Sequence, residues 1–274
     1  MTKIIAFGGE KQSGKNTCCS FVVGYTLFCY NKISKFYIND DTTLNIITAN
    51  LEYSKDGKDI GFKNVLPNLI DPKLIKVYAF ADSLKETISN IFNIPLHLLY
   101  GTDKAKDTLT KIRWSNFPGC ITNRYHYDSL TKWTERRKSS VPPHRFFNHN
   151  FFYHEDGFMT IRELLQFFGT DICRKMYNDC WVNSTFSRIE KENPEYAVIC
   201  DMRFDNEHMV SVDKKATVVH LLKRNKNKTL HISENGLSNN LKWDCELDNR
   251  DGDLLKLQKE LITFIKRINF ISYD

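Results

Sequence analysis

The stretch "GGEKQSGKNT", residues 8–17, follows the first short apolar run of the chain and precedes an apolar segment of helical length, Thr17–Tyr30. Gly9, Gly14 and Lys15 fit the pattern GxxxxGK, in which backbone N–H groups surround phosphate oxygens and the lysine reaches the β and γ phosphates. Strand, glycine loop and helix also follow one another in the order that such a loop requires. The stretch therefore predicts a site for a nucleoside triphosphate.

The residue after the loop lysine departs from the usual pattern. Asn16 occupies the position where a Ser or Thr hydroxyl normally ligates the Mg²⁺ that accompanies ATP. Mg²⁺ keeps several waters and needs few protein ligands. We therefore expect phosphate binding to be retained, with Mg²⁺ as cofactor held through ATP, water and Asp201, which closes the apolar run "VIC". Asp201 could equally be a helix cap.

Apolar runs and helical patterns alternate along the chain, which favours an α/β fold with crossover units on a parallel sheet. The predicted strands are Lys3–Phe7, Ile75–Ala81, Tyr196–Cys200 and Thr217–Leu222. The predicted helices are Thr17–Tyr30, Ser83–Phe92, Thr160–Met176, Trp181–Glu192 and Asp253–Ile268. Residues 31–74 give no clear pattern.

The helix from Thr160 has the clearest pattern, because Thr160 and Glu163 match a capping box. A polar stripe recurs on it at intervals of four, and such stripes are more often solvated than functional. Its members are Arg162, Gln166, Thr170 and Arg174.

The length of 274 residues suits one α/β domain with insertions, so we expect a single domain over residues 1–274. Apolar runs are too short for a signal peptide or a membrane span, which predicts a soluble cytoplasmic protein without a membrane partner. The eight cysteines include no CxxC pair, so we expect reduced thiols and neither disulfides nor a zinc site.

The formal net charge of +6 is concentrated between Thr102 and Asn148, a segment with ten Lys and Arg residues, four acidic residues and seven aromatic residues. A basic, aromatic insertion at about 102–158 fits three interpretations: a solvated insertion, contact with a nucleotide, or a nucleic-acid surface. We regard the first two as better supported than the third.

Arg203 follows "VICD" by two residues and would lie at the carboxyl end of that strand, where a guanidinium can bind phosphate. A surface ion pair is the alternative interpretation. The chain has no NKxD motif, so a GTPase is not expected.

Four segments, taken in order, resemble the deoxynucleoside monophosphate kinases of phages and large DNA viruses and, more faintly, animal phosphomevalonate kinase. They are "GGEKQSGKNT", "YAFADSLKE", "MTIRELLQFFGTDICRKMYNDCWVN" and "VICDMRFDNE". The resemblance covers residues 1–30, 75–114 and 159–249. It implies a P-loop kinase with a five-stranded parallel sheet flanked by helices, an acceptor-binding insertion and a lid at about 223–240. The family often has Asp after the loop lysine, so Asn16 keeps the shape of that side chain without its charge.

The resemblance also implies roles for individual residues. The implied catalytic residues are Lys15, Arg162, Asp201 and Arg203. The residues implied to bind ATP are Gly9, Ser13, Gly14, Lys15, Asn16, Thr17, Arg224 and Asn249. The residues implied to bind the acceptor are Lys11, Asp82, Lys85, Arg113, Trp114, Gln166, Gly169, Thr170, Trp181 and Asp201.

The implied reaction transfers the γ-phosphoryl group of ATP to a deoxynucleoside 5′-monophosphate. An acceptor phosphate is already anionic at neutral pH, so such an enzyme needs no general base. The two alternatives are a kinase of another small phosphorylated metabolite, as in the phosphomevalonate type, and a nucleic-acid-binding ATPase. Nucleic acid is not expected as a partner, and the sequence leaves a homodimer open.

Overall fold

The computed structural model of the protein describes residues 1–39, 44–48, 51–54, 73–117, 119–137, 152–223 and 237–272. Its central sheet has five strands, β1 (Lys3–Gly8), β5 (Ile75–Tyr78), β10 (Tyr196–Met202), β11 (Thr217–Leu222) and β12 (Cys245–Asp248). Their order in the sheet is β12–β11–β1–β10–β5, and every neighbouring pair is parallel. The four predicted strands are confirmed, and the edge strand "CELD" escaped the pattern because half of it is acidic.

Helices cover both faces of this sheet, which confirms the predicted α/β class of a P-loop kinase. One face packs against α1 (Lys15–Cys29) and α9 (Leu254–Arg267). The other packs against α7 (Cys180–Glu192) and α8 (Asp205–Asp213). Side chains of β1 alternate between the faces, since Ile5 belongs to the first core and Ala6 to the second. A sheet buried on both sides explains the continuous apolar runs.

The remaining elements lie around this core. The helices are α2 (Asp82–Phe92), α3 (Leu96–Leu99), α4 (Asp103–Lys106), α5 (Arg124–Arg137) and α6 (Ile161–Gln166). The strands are β2 (Lys35–Ile38), β3 (Leu44–Thr48), β4 (Leu51–Ser54), β6 (Leu109–Arg113), β7 (Cys120–Ile121), β8 (Phe152–Tyr153) and β9 (Phe158–Thr160).

An antiparallel sheet, β2–β3–β4, occupies part of residues 31–74, for which the residue pattern predicts no element. Its apolar residues Ile38, Leu44 and Ile46 join the core beneath α1. In the basic insertion, β6 pairs with β9 in antiparallel fashion and β7 pairs with β8 in parallel fashion. The described part of this insertion is therefore folded against the body of the protein.

The predicted helix over Thr160–Met176 is present but changes type. The capping box of Thr160 and Glu163 begins α6, as predicted, and the chain continues as a π-helix over Phe167–Arg174. Within this wide turn, the Gly169 carbonyl accepts a hydrogen bond from the Trp181 indole at 3.1 Å. A Cβ at Gly169 would lie 2.6 Å from the Leu84 side chain of α2, so a larger residue at this position would require Leu84 to move.

The widened turn also overturns the expectation of a solvated polar stripe on this helix. The Arg174 side chain is only 9% exposed and forms an ion pair with the buried Glu207. Arg162, the second residue of α6, forms ion pairs with Asp103 and Asp107. These tertiary partners come from distant parts of the chain, so the spacing of four could not reveal them.

All eight cysteines are free thiols, as predicted. Among the helices of the described residues, none has the length and apolar character needed to cross a bilayer. The predicted lid at about 223–240 falls mostly outside the described residues, and Arg224 is among those outside. The single-domain assignment stays a prediction.

Candidate active site

The glycine loop, residues Gly9–Lys15, connects the carboxyl end of β1 to the first turn of α1. Gly9 and Gly14 have φ angles of +142° and +100°, which residues with a side chain rarely adopt. A Cβ on Gly9 would lie 2.7 Å from the Leu221 carbonyl oxygen, and one on Gly14 would lie 2.7 Å from the Asn249 amide nitrogen. Both glycines are therefore required by the backbone path and by close packing.

Lys15 is folded into this loop and is only 7% exposed. Its Nζ donates hydrogen bonds to the carbonyl oxygens of Gly9 at 2.6 Å and Glu10 at 2.5 Å. Burial, together with the nearby charge of Arg203, lowers the pKa of Lys15 to about 7, while Asp201 opposes this shift. The Lys15 ammonium thus lies within the glycine loop and close to both Asp201 and Arg203.

Strand β10 lies beside β1 and carries the second half of the site. Gly8 pairs with Met202 in the sheet register, so the chain leaves both strands at the same level. Arg203 follows Met202 directly, just as the glycine loop follows Gly8. This register explains how residues 188 positions apart in the sequence come to face one another.

Asp201 ties β10 to the loop after β5. Its two carboxylate oxygens accept backbone hydrogen bonds from Phe80 at 2.6 Å and Ala81 at 3.1 Å. These bonds also explain why β5 ends at Tyr78 and not at Ala81 as predicted, because the following amides turn towards carboxylates instead of a neighbouring strand. Each oxygen of Asp201 keeps a further lone pair for another partner.

A buried ion pair holds the chain just beyond Arg203. Glu207 accepts hydrogen bonds from the backbone amides of Arg203 at 2.7 Å and Phe204 at 3.2 Å, and its other oxygen pairs with Arg174. The Arg174 guanidinium lies 3.9 Å from the centroid of the Phe204 ring. Burial raises the pKa of Glu207, and the Arg174 charge and the Arg203 amide oppose that rise. The pair therefore fixes the backbone from which Arg203 projects.

Four cations lie beside Arg203, with Asp103 among them, and these four together with Arg203 are referred to as the cation group. Asp103 pairs with Arg162 at 2.9 Å and with Lys11 of the glycine loop at 3.8 Å. The hydrogen bond from Arg162 and the charge of Lys11 lower the pKa of Asp103. The cation group consists of Lys11, Lys85, Lys106, Arg162 and Arg203.

Asp82, a predicted acceptor residue, is buried at the start of α2. Its oxygens accept hydrogen bonds from the Ala79 amide at 3.0 Å and from the Tyr100 hydroxyl at 2.8 Å. Burial, with Asp82 next to it, raises the pKa of Tyr100. The Lys85 ammonium lies 4.1 Å from the centroid of the Tyr100 ring, so Tyr100 and Asp82 together support this member of the cation group.

The predicted aromatic residues belong to a third apolar core formed by α2, α6 and the start of α7. Trp181 is buried and bonds to the Gly169 carbonyl, and Trp114 is buried and stacks on His154 with ring centroids 3.8 Å apart. Gln166, at the end of α6, and Thr170, in the π-helix that follows, are half-buried. The contacts of all these residues with an acceptor stay predictions.

Arg113 differs from the other predicted acceptor residues. It lies exposed at the end of β6, which pairs with β9, forms an ion pair with Asp156 at 2.5 Å, and lies 5.0 Å from the centroid of the Phe158 ring. Its hydrogen bond holds the pKa of Asp156 below the usual value. These contacts do not join Arg113 to the cation group.

Among the described residues predicted to bind ATP, Asn249 contacts the glycine loop from outside it. The Asn249 side chain donates to the Ser13 carbonyl at 3.0 Å, and Lys223 donates to the Lys11 carbonyl at 3.0 Å. Ser13 and Thr17 are buried, whereas Asn16 is exposed on the first turn of α1. The loop is thus held from the ends of β11 and β12.

Four residues of the site were missed by reasoning from the sequence alone. Glu207 carried a signal, since it stands three residues after Phe204 at the start of a helix, where Glu often bonds back to the backbone. Lys106 was only one of several lysines in the basic insertion, and Arg174 was assigned to a solvated stripe. The fourth is Tyr100, which no motif marks.

Comparison with protein families gave one match relevant to this site. The family model described as "Deoxynucleotide monophosphate kinase" matches residues 120–261, just over half of the chain. The matched range contains Arg162, Trp181, Asp201 and Arg203, but not the glycine loop, whose assignment rests on its own sequence and geometry. A comparison with curated proteins found no match.

Proposed function

The chain belongs to the deoxynucleotide monophosphate kinase family, and from this we propose that it transfers the γ-phosphoryl group of ATP to a deoxynucleoside 5′-monophosphate, giving ADP and the diphosphate. The family makes the protein a nucleotide kinase. The choice of ATP as donor and of a deoxynucleotide as acceptor is the proposal.

One observation supports the proposal above all others: the glycine loop and Arg203 follow neighbouring strands at the same level, and the charge of Arg203 acts on Lys15 at the end of that loop. Two cations this close repel each other, and an anionic group between them would relieve that repulsion. A transferring phosphoryl group spreads negative charge over its oxygens in the transition state. We therefore assign Lys15 to the donor phosphates and Arg203 to the group in transfer.

The glycine loop would bind the donor through its backbone. Its N–H groups and the first turn of α1 favour an anion, and Asn249 and Lys223 hold the loop in shape from outside. Ser13, Asn16 and Thr17 would complete the donor site at the start of the helix. Arg224 would act from the lid, although it lies outside the described residues.

The acceptor would bind on the side of the cation group. Lys11, Lys85 and Arg162 would meet its phosphate, while Trp181, Gly169, Thr170, Gln166 and Trp114 would shape the wall for its sugar and base. Asp82 acts indirectly, by holding the Ala79 amide and Tyr100. Arg113 would have to reach the nucleotide from the exposed end of β6.

The residues at this site fit a Mg²⁺ ion that travels with ATP. The Asp201 carboxylate accepts two backbone hydrogen bonds and keeps further lone pairs that could bind the ion. Asn16, the residue after Lys15, is exposed and has a side-chain amide oxygen. Among the described residues no cluster of three or more acidic, His or Cys side chains forms a full metal cage. Mg²⁺ bound mainly by phosphate and water needs no such cage. When bound, the ion would neutralise part of the phosphate charge.

No general base is required of the protein, since the acceptor phosphate is already ionised near neutral pH. The residues then contribute by binding two anions next to each other and by directing fixed positive charge at the group in transfer. The buried pair of Arg174 and Glu207 would keep Arg203 in place without touching either substrate.

A coupled assay that detects ADP, run with ATP and each common ribo- and deoxyribonucleoside monophosphate, tests the proposal. We expect turnover with at least one deoxynucleotide and none with phosphomevalonate. Turnover of phosphomevalonate alone would contradict the proposal. ATP loss that requires DNA, with steep salt dependence, would instead favour the nucleic-acid-binding ATPase.

A further inference from the structure

Lys106 has a position in the cation group that the proposed function does not use. It is the last residue of α4, the short helix whose first turn is capped by Thr102. Its charged neighbours come from four elements: Lys85 on α2, Asp103 on α4, Arg162 on α6, and Arg203 after β10. The side chain is half-buried among them.

Several cations lie around Lys106. Its cationic neighbours are Lys85, Arg162 and Arg203, and the carboxylates on either side of it in the chain, Asp103 and Asp107, both pair with Arg162. Among the residues that the structure describes, no hydrogen bond or ion pair holds the Lys106 ammonium. Crowded like charges without counter-ions destabilise a folded protein. Such an arrangement suits a site whose ligand supplies the negative charge.

The nearby carboxylates of Asp201 and Asp82 accept hydrogen bonds from the loop after β5. Asp201 binds the backbone amides of Phe80 and Ala81, and Asp82 binds the Ala79 amide and the Tyr100 hydroxyl. Both carboxylates are thus used to hold the loop after β5.

The position of Arg203 indicates which anion Lys106 faces. Lys15 and Lys106 both have Arg203 as a charged neighbour, but their other neighbours differ. Those of Lys15 lie on α1 and β10, whereas those of Lys106 lie on α2, α4 and α6. Lys106 therefore lies on the side of the cation group, where the acceptor would bind, and not in the glycine loop.

We propose that Lys106 binds the phosphate of the acceptor monophosphate, beside Arg203. This inference rests on the proposed function and adds one residue to it. A lysine is a compact point charge that needs no fixed hydrogen-bond geometry, which suits an anion that must move towards the donor after binding.

The protonation of Lys106 gives this proposal a second measurable property. Burial, reinforced by the charge of Lys85, lowers the pKa of Lys106 to about 8. A bound phosphate favours the charged form, so the pKa rises on binding and the complex takes up a proton above pH 8. Lys15 titrates in a similar range, so only a comparison with a Lys106 variant isolates this uptake.

The test uses the full chain with Lys106→Met, Lys106→Arg and, as a matched control, Lys104→Met on the exposed side of the same helix. For Lys106→Met we expect the acceptor KM to rise at least about tenfold, which is the usual cost of losing a charged hydrogen bond. The KM for ATP should change by less than about twofold. Lys106→Arg should restore most of the acceptor affinity, and Lys104→Met should match the wild type.

Calorimetry in two buffers of different ionisation enthalpy adds the readout that a structural role would not move. At pH 8.5 the wild type and Lys104→Met should take up a proton on binding the monophosphate, and Lys106→Arg should take up less. Equal uptake in all three proteins would overturn the proposal. If Lys106→Met does not fold, as shown by its thermal unfolding curve, Lys106→Gln replaces it.

The outcomes separate this inference from the proposed function. A wild-type enzyme that phosphorylates monophosphates, together with an unchanged acceptor KM in Lys106→Met, would overturn the role of Lys106 alone. A wild type that uses no monophosphate would overturn the proposed function. In that case titration with inorganic phosphate decides whether Lys106 binds an anion: weaker binding by Lys106→Met than by Lys104→Met supports the site, and equal binding rejects it.

Discussion

The donor side and the acceptor side of this site are built in different ways. The donor side comprises the glycine loop and the adjoining ends of β1 and β10, and its shape is set by the backbone: Gly9 and Gly14 at positive φ and the Gly8–Met202 register. The acceptor side comprises the cation group and α2, α4 and α6, and side-chain ion pairs such as Arg162–Asp103 hold it together. A backbone-built half is rigid and buried, whereas a half built from partly exposed ion pairs can adjust to its ligand.

This difference suits the two tasks of a phosphoryl-transfer enzyme. The donor must be held in one position, because misplacement of the reacting groups by about 1 Å can cost a hundredfold in rate. The acceptor must enter, approach the donor and leave. Weak, water-screened pairs allow such adjustment at little cost, since each contributes about 0–1 kcal/mol to stability.

The largest effect should come from Lys15→Ala, which removes the buried charge at the centre of the donor side. We expect kcat to fall at least about a thousandfold, because the donor phosphates lose their closest cation. The fold should be retained, since removing a desolvated charge relieves a cost of burial. The coupled assay and a thermal unfolding curve measure the two quantities, and near-wild-type turnover would falsify the donor assignment.

Arg203→Met should have the next largest effect, and it probes the boundary between the two sides. We expect kcat to fall at least about a hundredfold while both KM values move far less, as for an interaction made only in the transition state. Steady-state kinetics with both substrates varied provides the measurement. A raised acceptor KM with kcat retained would move Arg203 from the boundary to the acceptor side.

The third prediction concerns the pH dependence of stability on the donor side. The pKa of Lys15 is about 7 when folded and 10.5 ordinarily, so between these values the unfolded chain holds more protons and the free energy of unfolding rises with pH. Relative to Lys15→Met, the wild type should gain about 2 kcal/mol between pH 7 and pH 9. Denaturant unfolding of both proteins measures this gain. Parallel curves would show that Lys15 is not desolvated.

Asp103→Asn should have the smallest effect and tests the acceptor side. We expect the free energy of unfolding to fall by less than about 1 kcal/mol at neutral pH, because the pairs with Arg162 and Lys11 are partly exposed. The loss should shrink further in 1 M salt, which screens such pairs. A loss of several kcal/mol that persists in high salt would mean that the acceptor side is as rigid as the donor side.

Much of the donor side was predictable from the sequence, and little of the acceptor side was. The spacing of Gly9, Gly14 and Lys15 marks the loop because backbone geometry requires those residue types locally. Lys106 and Tyr100 act through partners that are distant in the sequence, so no local pattern identifies them. Arg174 was misassigned for the same reason, since its partner Glu207 lies 33 residues away.

The sequence by itself determined the α/β class, four of the five central strands, the capping box at Thr160 and the glycine loop between β1 and α1. Each of these depends on local physics: side-chain periodicity, caps and glycine conformations act within a few residues of one another. Only the tertiary structure decided that β5 ends early because Phe80 and Ala81 bond to Asp201, and that the π-helix turns Arg174 inward. It also decided which cations share the space beside Arg203. Electrostatic energies and hydrogen-bond partners depend on distances in three dimensions. The spacing of residues along the chain does not give those distances when the partners are far apart in the sequence.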